Sequence, residues 1–325
     1  MITLAIIGVG NWGKNILSTL ATLPHVKVGY LCDPNRSLSA TLTNAKIVGH
    51  WKELLESGLD GVVIATPPST HASIAIPFIK KGVAVFVEKP MTEGLSDAKK
   101  LFEASKKAKA PVMVGHIHLF NPAYIALKKI VRELGGIRLI RTSAGNYGPF
   151  RDDFSALWDW APHDVALVLD LLEAMPKTVS AWGDCIYRSK TDLYETAQLR
   201  MTFSNGVAAT IRVSSLDPIK NREVTVLAGQ GLVRFDDIAD KKVALYKNFA
   251  PDFRKKGNLN PREAEIIYPR VSPEKPLEEE LRVFIDAIHN KTEPVSNAEL
   301  GYKVVRILDA ADRSIAQKGK EISLL

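Results

Sequence analysis

The chain has 325 residues, 46% hydrophobic and 24% charged, a balance that suits a folded globular protein with room for two domains. Its 43 Lys and Arg outnumber 36 Asp and Glu, but they are dispersed in small clusters such as Lys106-Lys107 and Lys255-Lys256, which reads as a solvated surface and not a nucleic-acid groove; the mild positive field would suit an anionic cofactor or substrate. No apolar run is long enough to span a membrane, and the 2 cysteines, Cys32 and Cys185, are too few for a disulfide framework, so a reducing cytoplasm is the expected setting.

Ile2 to Ile7 is a nearly unbroken apolar run, as in a strand buried on both faces of a parallel sheet. It has no basic leading region, so it reads as a strand and not a signal peptide. Gly8-Val9-Gly10-Asn11-Trp12-Gly13 fits G-x-G-x-x-G, and Ile16, Leu17, Leu20, Ala21 and Leu23 then mark one helix face. In such a turn Gly8 permits the bend, Gly10 lets the backbone approach a pyrophosphate, and Gly13 lets helix and strand pack closely. A second strand, Val26 to Cys32, ends in Asp33, twenty residues past Gly13, where a carboxylate can accept from ribose hydroxyls.

Pro34-Asn35-Arg36 opens a short helix, Ile47-Val48 is a third strand, and Trp51 to Leu55 a helical turn or two. Gly61 to Ala65 is a fourth strand. Thr66-Pro67-Pro68-Ser69-Thr70-His71 must turn, with Ser69 or Thr70 capping a helix that Gly82 stops. Val83 to Val87 is a fifth strand ending in Glu88-Lys89-Pro90; Leu95, Ala98, Leu101, Phe102 and Ser105 mark another helix, and Pro111 to Gly115 a sixth strand. Strands alternating with helices at this spacing predict a doubly wound sheet over residues 1–120. Ligands of such a sheet sit outside the carboxyl ends of the strands, and the glycine turn, Asp33, Thr66-Pro67 and Glu88-Lys89-Pro90 all fall there.

The rhythm changes over residues 121–325. Asn121-Pro122 is an N-cap followed by proline at N1, and its helix runs to Gly135-Gly136. Ile137 to Tyr147, Thr178 to Tyr187, Ala197 to Val213 (split by an Asn205-Gly206 hairpin), Val224 to Ala228 and Leu232 to Phe235 read as antiparallel strands, with a helix inserted at His163 to Leu172. Ala250 to Lys275 reads as loop, and Leu277 to Asn290 and Glu299 to Lys318 as two amphipathic helices. Asp159 and His163 are four apart, but Pro162 argues against a clean helix there, so the pair could instead meet across a turn. A carboxylate near an imidazole is an acid/base pair; the alternative is a helix start with Asp164 serving its dipole and His163 packing. Lys89, at the end of an apolar strand, is a candidate for a lysine of altered proton affinity. Arg151, after Tyr147-Gly148-Pro149-Phe150, offers a fork for phosphate or carboxylate. His116 and His118 alternate at a strand exit, with no metal-ligand spacing.

These pieces together resemble the Gfo/Idh/MocA family of nicotinamide-dependent oxidoreductases over essentially the full length. The matching residues are Ile7 to Gly13, Asp33, Ile64 to His71, Glu88-Lys89-Pro90, Asn121-Pro122 and Asp159-x-x-x-His163. The resemblance implies an α/β protein: an N-terminal doubly wound Rossmann domain (1–120), then a C-terminal α+β domain (121–325) with a large, mostly antiparallel open sheet, its last helices free to pack back on the first. It implies NAD as cofactor, with NADP the alternative, held by Gly8, Gly10, Asn11, Trp12, Gly13, Asp33, Thr66, Pro67, His71, Glu88 and Lys89. It implies Lys89, His163 and Asp159 as catalytic and in contact with substrate, and often a cis bond before Pro90; Tyr147 and Arg151, which precede the Asp159 segment, are expected to bind substrate at the cleft rim, and no metal is expected. The expected substrate is a secondary alcohol or ketone of a sugar, cyclitol or nucleotide-linked sugar, the expected assembly a homodimer or homotetramer through the C-terminal sheet. A non-catalytic cofactor sensor, or a reductase of an imine or dihydrodiol, is the alternative. Leu119 and Ala166 stand where the family often has Arg and Asp, and a glycine cluster before Asp159 is missing, departures that bear on substrate.

Overall fold

The computed structural model describes residues 1–34, 44–188, 193–247 and 265–324. Arg36 and most of the loop expected after Ala250 lie outside the described residues. In chain order the helices are α1 (Asn11–Leu20), α2 (Pro68–Lys80), α3 (Leu95–Ser105), α4 (Pro122–Glu133), α5 (Ala156–Leu172), α6 (Pro276–Asn290) and α7 (Ala298–Ala316). The chain forms two compact units: Met1–Phe120 with Lys275–Arg306, and Asn121–Glu274 with Ile307–Leu325.

The first unit holds β1 (Ile2–Ile7), β2 (Val26–Cys32), β3 (Lys46–Val48), β4 (Gly61–Ile64), β5 (Ala84–Glu88) and β6 (Val112–Gly115) in a parallel sheet of order β3-β2-β1-β4-β5-β6. The order reverses between β1 and β4, the switch point where such sheets receive ligands. β4 and β5 are buried throughout, as two-sided helix cover requires. α2 starts two residues earlier than a Ser69 cap would set it, with Pro68 at N1, because proline lacks the N–H that would otherwise be left unpaired. The returning segment completes this unit. Phe284 of α6 meets Phe86 edge-on at 5.7 Å between centroids, and Ser296 pairs with Val114 through its carbonyl (2.7 Å) and hydroxyl (2.6 Å). That pairing covers the outer edge of β6, which would otherwise offer open hydrogen-bonding groups.

In the second unit, β7 (Leu139–Tyr147), β8 (Thr178–Asp184), β9 (Thr196–Thr202), β10 (Ala208–Ser214), β11 (Leu216–Leu227), β12 (Gly231–Asp236), β13 (Val243–Lys247), β14 (Glu265–Ile267) and β15 (Ile322–Ser323) form a 9-stranded sheet of order β14-β13-β12-β11-β7-β10-β9-β8-β15. All pairs are antiparallel except β7 with β10. The Asn205-Gly206 turn joins β9 to β10, with Gly206 at φ +81. β11 is longer than its apolar stretch: its first residues mix Leu216, Pro218 and Ile219 with polar ones and are irregularly paired, so only Val224 onward alternates in sequence. α5 also differs from expectation. It runs unbroken from Ala156 through Pro162, because its apolar residues are buried nearly all round and that burial outweighs the one hydrogen bond proline forfeits. Asp159 and His163 are therefore one turn apart on one helix face.

Candidate functional site

The glycine turn of the first unit is shaped by contact. Gly8 has φ +90, and a Cβ there would sit 2.6 Å from the carbonyl oxygen of Ala65; one on Gly13 would sit 2.1 Å from the Gly8 oxygen. A side chain on Gly10 would meet nothing within 4 Å, so the space over the start of α1 is open. Gly10 is the N-cap and has no side chain to cap with, which leaves the first N–H groups of α1 for an anion. Next to them is an open pocket of about 470 Å³ lined by Gly8, Gly10, Asp33, His50, Trp51 and Thr66. The Asp33 carboxylate accepts from Val9 N–H at 2.9 Å, which fixes it at the rim. These features fit a dinucleotide: an anion seat, room above Gly10 and a carboxylate for the ribose.

Beyond β5, the Lys89-Pro90 bond is cis. Glu88 is buried; its Oε1 accepts from the Trp12 indole at 2.5 Å and its Oε2 from the Lys89 N–H at 3.1 Å. Burial pushes its carboxyl up to about 7, against the pull of Trp12 and of the Lys89 charge. His116, also buried, is pushed down to about 3 by burial and then by the Lys89 charge, so it is a neutral ring near neutral pH. His71 has no exposed surface. Its Nε2 lies 2.8 Å from the Thr66 oxygen and its Nδ1 3.2 Å from the Pro90 oxygen, and burial lowers its proton affinity. A neutral ring donates once, so only one of these two carbonyls takes its N–H. His71 braces two turns and has no surface for a ligand, whereas Trp12, 40% exposed, does.

In the second unit, the face of α5 carrying Asp159 and His163 follows an exposed rim: Tyr147 and Phe150 meet edge-on at 5.5 Å, both exposed. Hydrogen bonds to Asp153, at 2.8 and 2.7 Å, engage the Arg151 fork and raise its proton affinity, and the Asp159 charge adds to them. An anionic substrate would have to displace Asp153. Asp164, fully buried, pairs with Arg222 of β11 at 3.4 Å, and Arg222 lies over the Trp160 ring at 5.9 Å. Burial raises the Asp164 carboxyl and Arg222 opposes it. Asp164 thus anchors α5 to the sheet, a larger part than a helix-dipole partner.

One buried group escaped the sequence reading. Glu280 of α6 has no exposed surface and neither carboxyl oxygen has a hydrogen-bond partner. Burial, then the charge of Glu88, raises its proton affinity well above the carboxylate range. The signal was its spacing: Glu280, Phe284 and Ala287 share one helix face, and the last two are apolar. Among the described residues no cluster of His, Cys, Asp or Glu is suited to a metal ion, and no helix is long and apolar enough to cross a membrane.

Residues 2–116 match the model of an oxidoreductase family with an NAD-binding Rossmann fold, and residues 124–234 match that of the GFO/IDH/MocA C-terminal domain. A solved structure from Magnetospirillum magnetotacticum MS-1 is 36% identical, covers 95% of this chain and 99% of its own, and superposes with a TM-score of 0.82. The scyllo-inositol 2-dehydrogenase (NAD(+)) of Bacillus subtilis strain 168 is 25% identical over 281 residues, 75% of this chain and 82% of that protein. The UDP-N-acetylglucosamine 3-dehydrogenase of Acidithiobacillus ferrooxidans is 30% identical over 165 residues, half of each chain.

Proposed function

Because the chain belongs to the GFO/IDH/MocA family of NAD-binding oxidoreductases, we propose that it is a dehydrogenase interconverting a secondary alcohol and a ketone on a sugar, cyclitol or nucleotide-linked sugar. The observation that carries this reading is the Asp159–His163 pair on one face of α5 in a chain that also carries Lys89 directly after β5. A protein that only sensed its cofactor would need the glycine turn and none of these three. The relatives named for inositol and for UDP-N-acetylglucosamine support a polyhydroxylated substrate.

In this reading the N–H groups at the start of α1 take the pyrophosphate and Asp33 the adenosine ribose; the bound nicotinamide supplies or accepts hydride. Asp33 disfavours a 2′-phosphate by charge repulsion, so NAD(H) is preferred over NADP(H). His163 takes the hydroxyl proton on oxidation and returns it on reduction, Asp159 orients the imidazole or a neighbouring hydroxyl, and Lys89 donates to the reacting oxygen. The outer face of the 9-stranded sheet, which carries Arg141, Arg200 and Arg212 beside Trp182 and Glu223, is where a second copy would pair. Screening free, phosphorylated and nucleotide-linked sugars and inositols by nicotinamide absorbance tests the reading. Turnover of at least one polyol with NAD(+) is expected; none across the set, with NADH bound normally, overturns it.

A further inference from the structure

Glu88 sits between two parts of the first unit that are remote in sequence. One carboxylate oxygen accepts from Trp12, inside the dinucleotide turn; the other accepts from the main-chain N–H of Lys89. The space around it is closed. A Cβ on Gly115 would lie 3.0–3.1 Å from its carboxyl atoms, so a larger residue there would crowd the carboxyl. Glu280 faces it from α6 with no hydrogen bond of its own. Polar groups this deep are almost always paired, so a buried, unbonded Glu280 that feels the Glu88 charge asks for a reason.

We propose that Glu88 is a positioning residue: through Trp12 and the Lys89 main chain its carboxylate holds the dinucleotide-binding turn and the lysine in fixed relation, and protonating it loosens that tie. The inference rests on the assignment of Lys89 to the reaction and deepens it, since it concerns how that lysine and the cofactor seat are held together.

The charge logic follows from the neighbours. The titratable groups acting on or acted on by Glu88 are Lys89 at the strand end and Glu280 on α6; His116, after β6, feels the Lys89 charge, and His71 lies between the Thr66 and Pro90 carbonyls. His116 is already neutral and Glu280 resists ionisation beside the Glu88 charge, so near neutral pH Glu88 is the member of the cluster that changes state. As a carboxylate it accepts both bonds at full strength. Once protonated it keeps only weaker neutral acceptors, and the indole N–H loses a charge-assisted partner. Glu280, kept protonated, leaves the negative charge of the pair on Glu88, where both donors are.

Two measurements test this, one of them independent of turnover. In the protein without cofactor, tryptophan emission should step with a midpoint near pH 7, and the step should vanish in Glu88→Gln, which keeps the shape but cannot titrate. NADH affinity, by fluorescence, should fall by about threefold to tenfold from pH 8 to pH 6, the range for one hydrogen bond. In Trp12→Phe that pH dependence should be lost, with affinity at pH 8 already as weak as in the wild type at pH 6. If Glu88→Gln does not fold, Trp12→Phe decides alone. Glu280→Gln should leave the midpoint in place, because an amide replaces a neutral acid; a midpoint lowered by a unit or more would mean that Glu280 is charged and would overturn its part. A step that survives Glu88→Gln, or NADH affinity in Trp12→Phe that tracks pH as in the wild type, overturns the tie itself. A normal step in a protein that oxidises no polyol leaves the tie standing and removes the dehydrogenase reading instead.

Discussion

Lys89→Met keeps an unbranched stem of similar length and removes the charge and its donors, so it separates chemistry from binding. The cofactor seat is made of the glycine turn and Asp33, so NADH affinity should change little while kcat falls by about 10² to 10⁴. His163→Asn should behave likewise, and the double variant should be little worse than the poorer single one, because groups acting as a unit are not additive. Single-turnover reduction with parallel binding measurements checks this; turnover in both variants within about threefold of the wild type removes them from the reaction. Asp33→Ser should narrow the preference for NAD(H) over NADP(H), which titration of both cofactors would show. Asp33 and Lys89 could be singled out in the sequence because each follows a strand that local pattern locates, whereas His163 stood out by its spacing from Asp159 and lies inside α5, not at a helix start. The Trp12–Glu88 bond was not, since a contact across 76 positions leaves no local signal.

The elements were legible where burial writes a period into the sequence. The parallel strands of the first unit and the hairpin at Gly206 are of this kind. β14, at 3 residues, and β15, at 2, are too short to carry a period, and the parallel pairing of β7 with β10 is a matter of topology. Pro162 misled for an instructive reason: a helix whose faces are nearly all buried gains more from packing than a proline takes away. The same helix supplies a prediction. Arg222→Met strands the Asp164 charge in the core and should cost about 3–5 kcal/mol, whereas Arg222→Met with Asp164→Leu should recover most of it. Urea unfolding compares them. A single variant within about 1 kcal/mol of the wild type would mean that the pair does not anchor α5.

At the scale of the molecule, buried titratable groups set how stability follows pH. Glu280 and Glu88 bind protons more tightly folded than unfolded, so their contribution is full below the ordinary glutamate value of 4.5 and declines as pH rises through the folded values, about 7 for Glu88 and higher for Glu280. His71 and His116 do the opposite, favouring the fold above 6.5 and opposing it as pH falls below that. Glu280→Gln removes one alkaline term. Relative to the wild type it should gain stability as pH rises from 5 to 8, by up to ~1.4 kcal/mol per unit. Thermal unfolding at both pH values measures it, and a constant difference would show that Glu280 is not held protonated.

The first unit is sealed by residues 275–306, which pair with β6 and cover Phe86. The order of synthesis therefore matters. The six parallel strands leave the ribosome well before α6 exists. While residues 121–274 are made, on the order of ten seconds at roughly 5–20 residues per second, the nascent chain holds an open sheet edge and an uncovered aromatic face. Chains arrested before Pro276 should then be cut readily within β6 and bound by chaperones, and chains arrested after Ala316 should resist both.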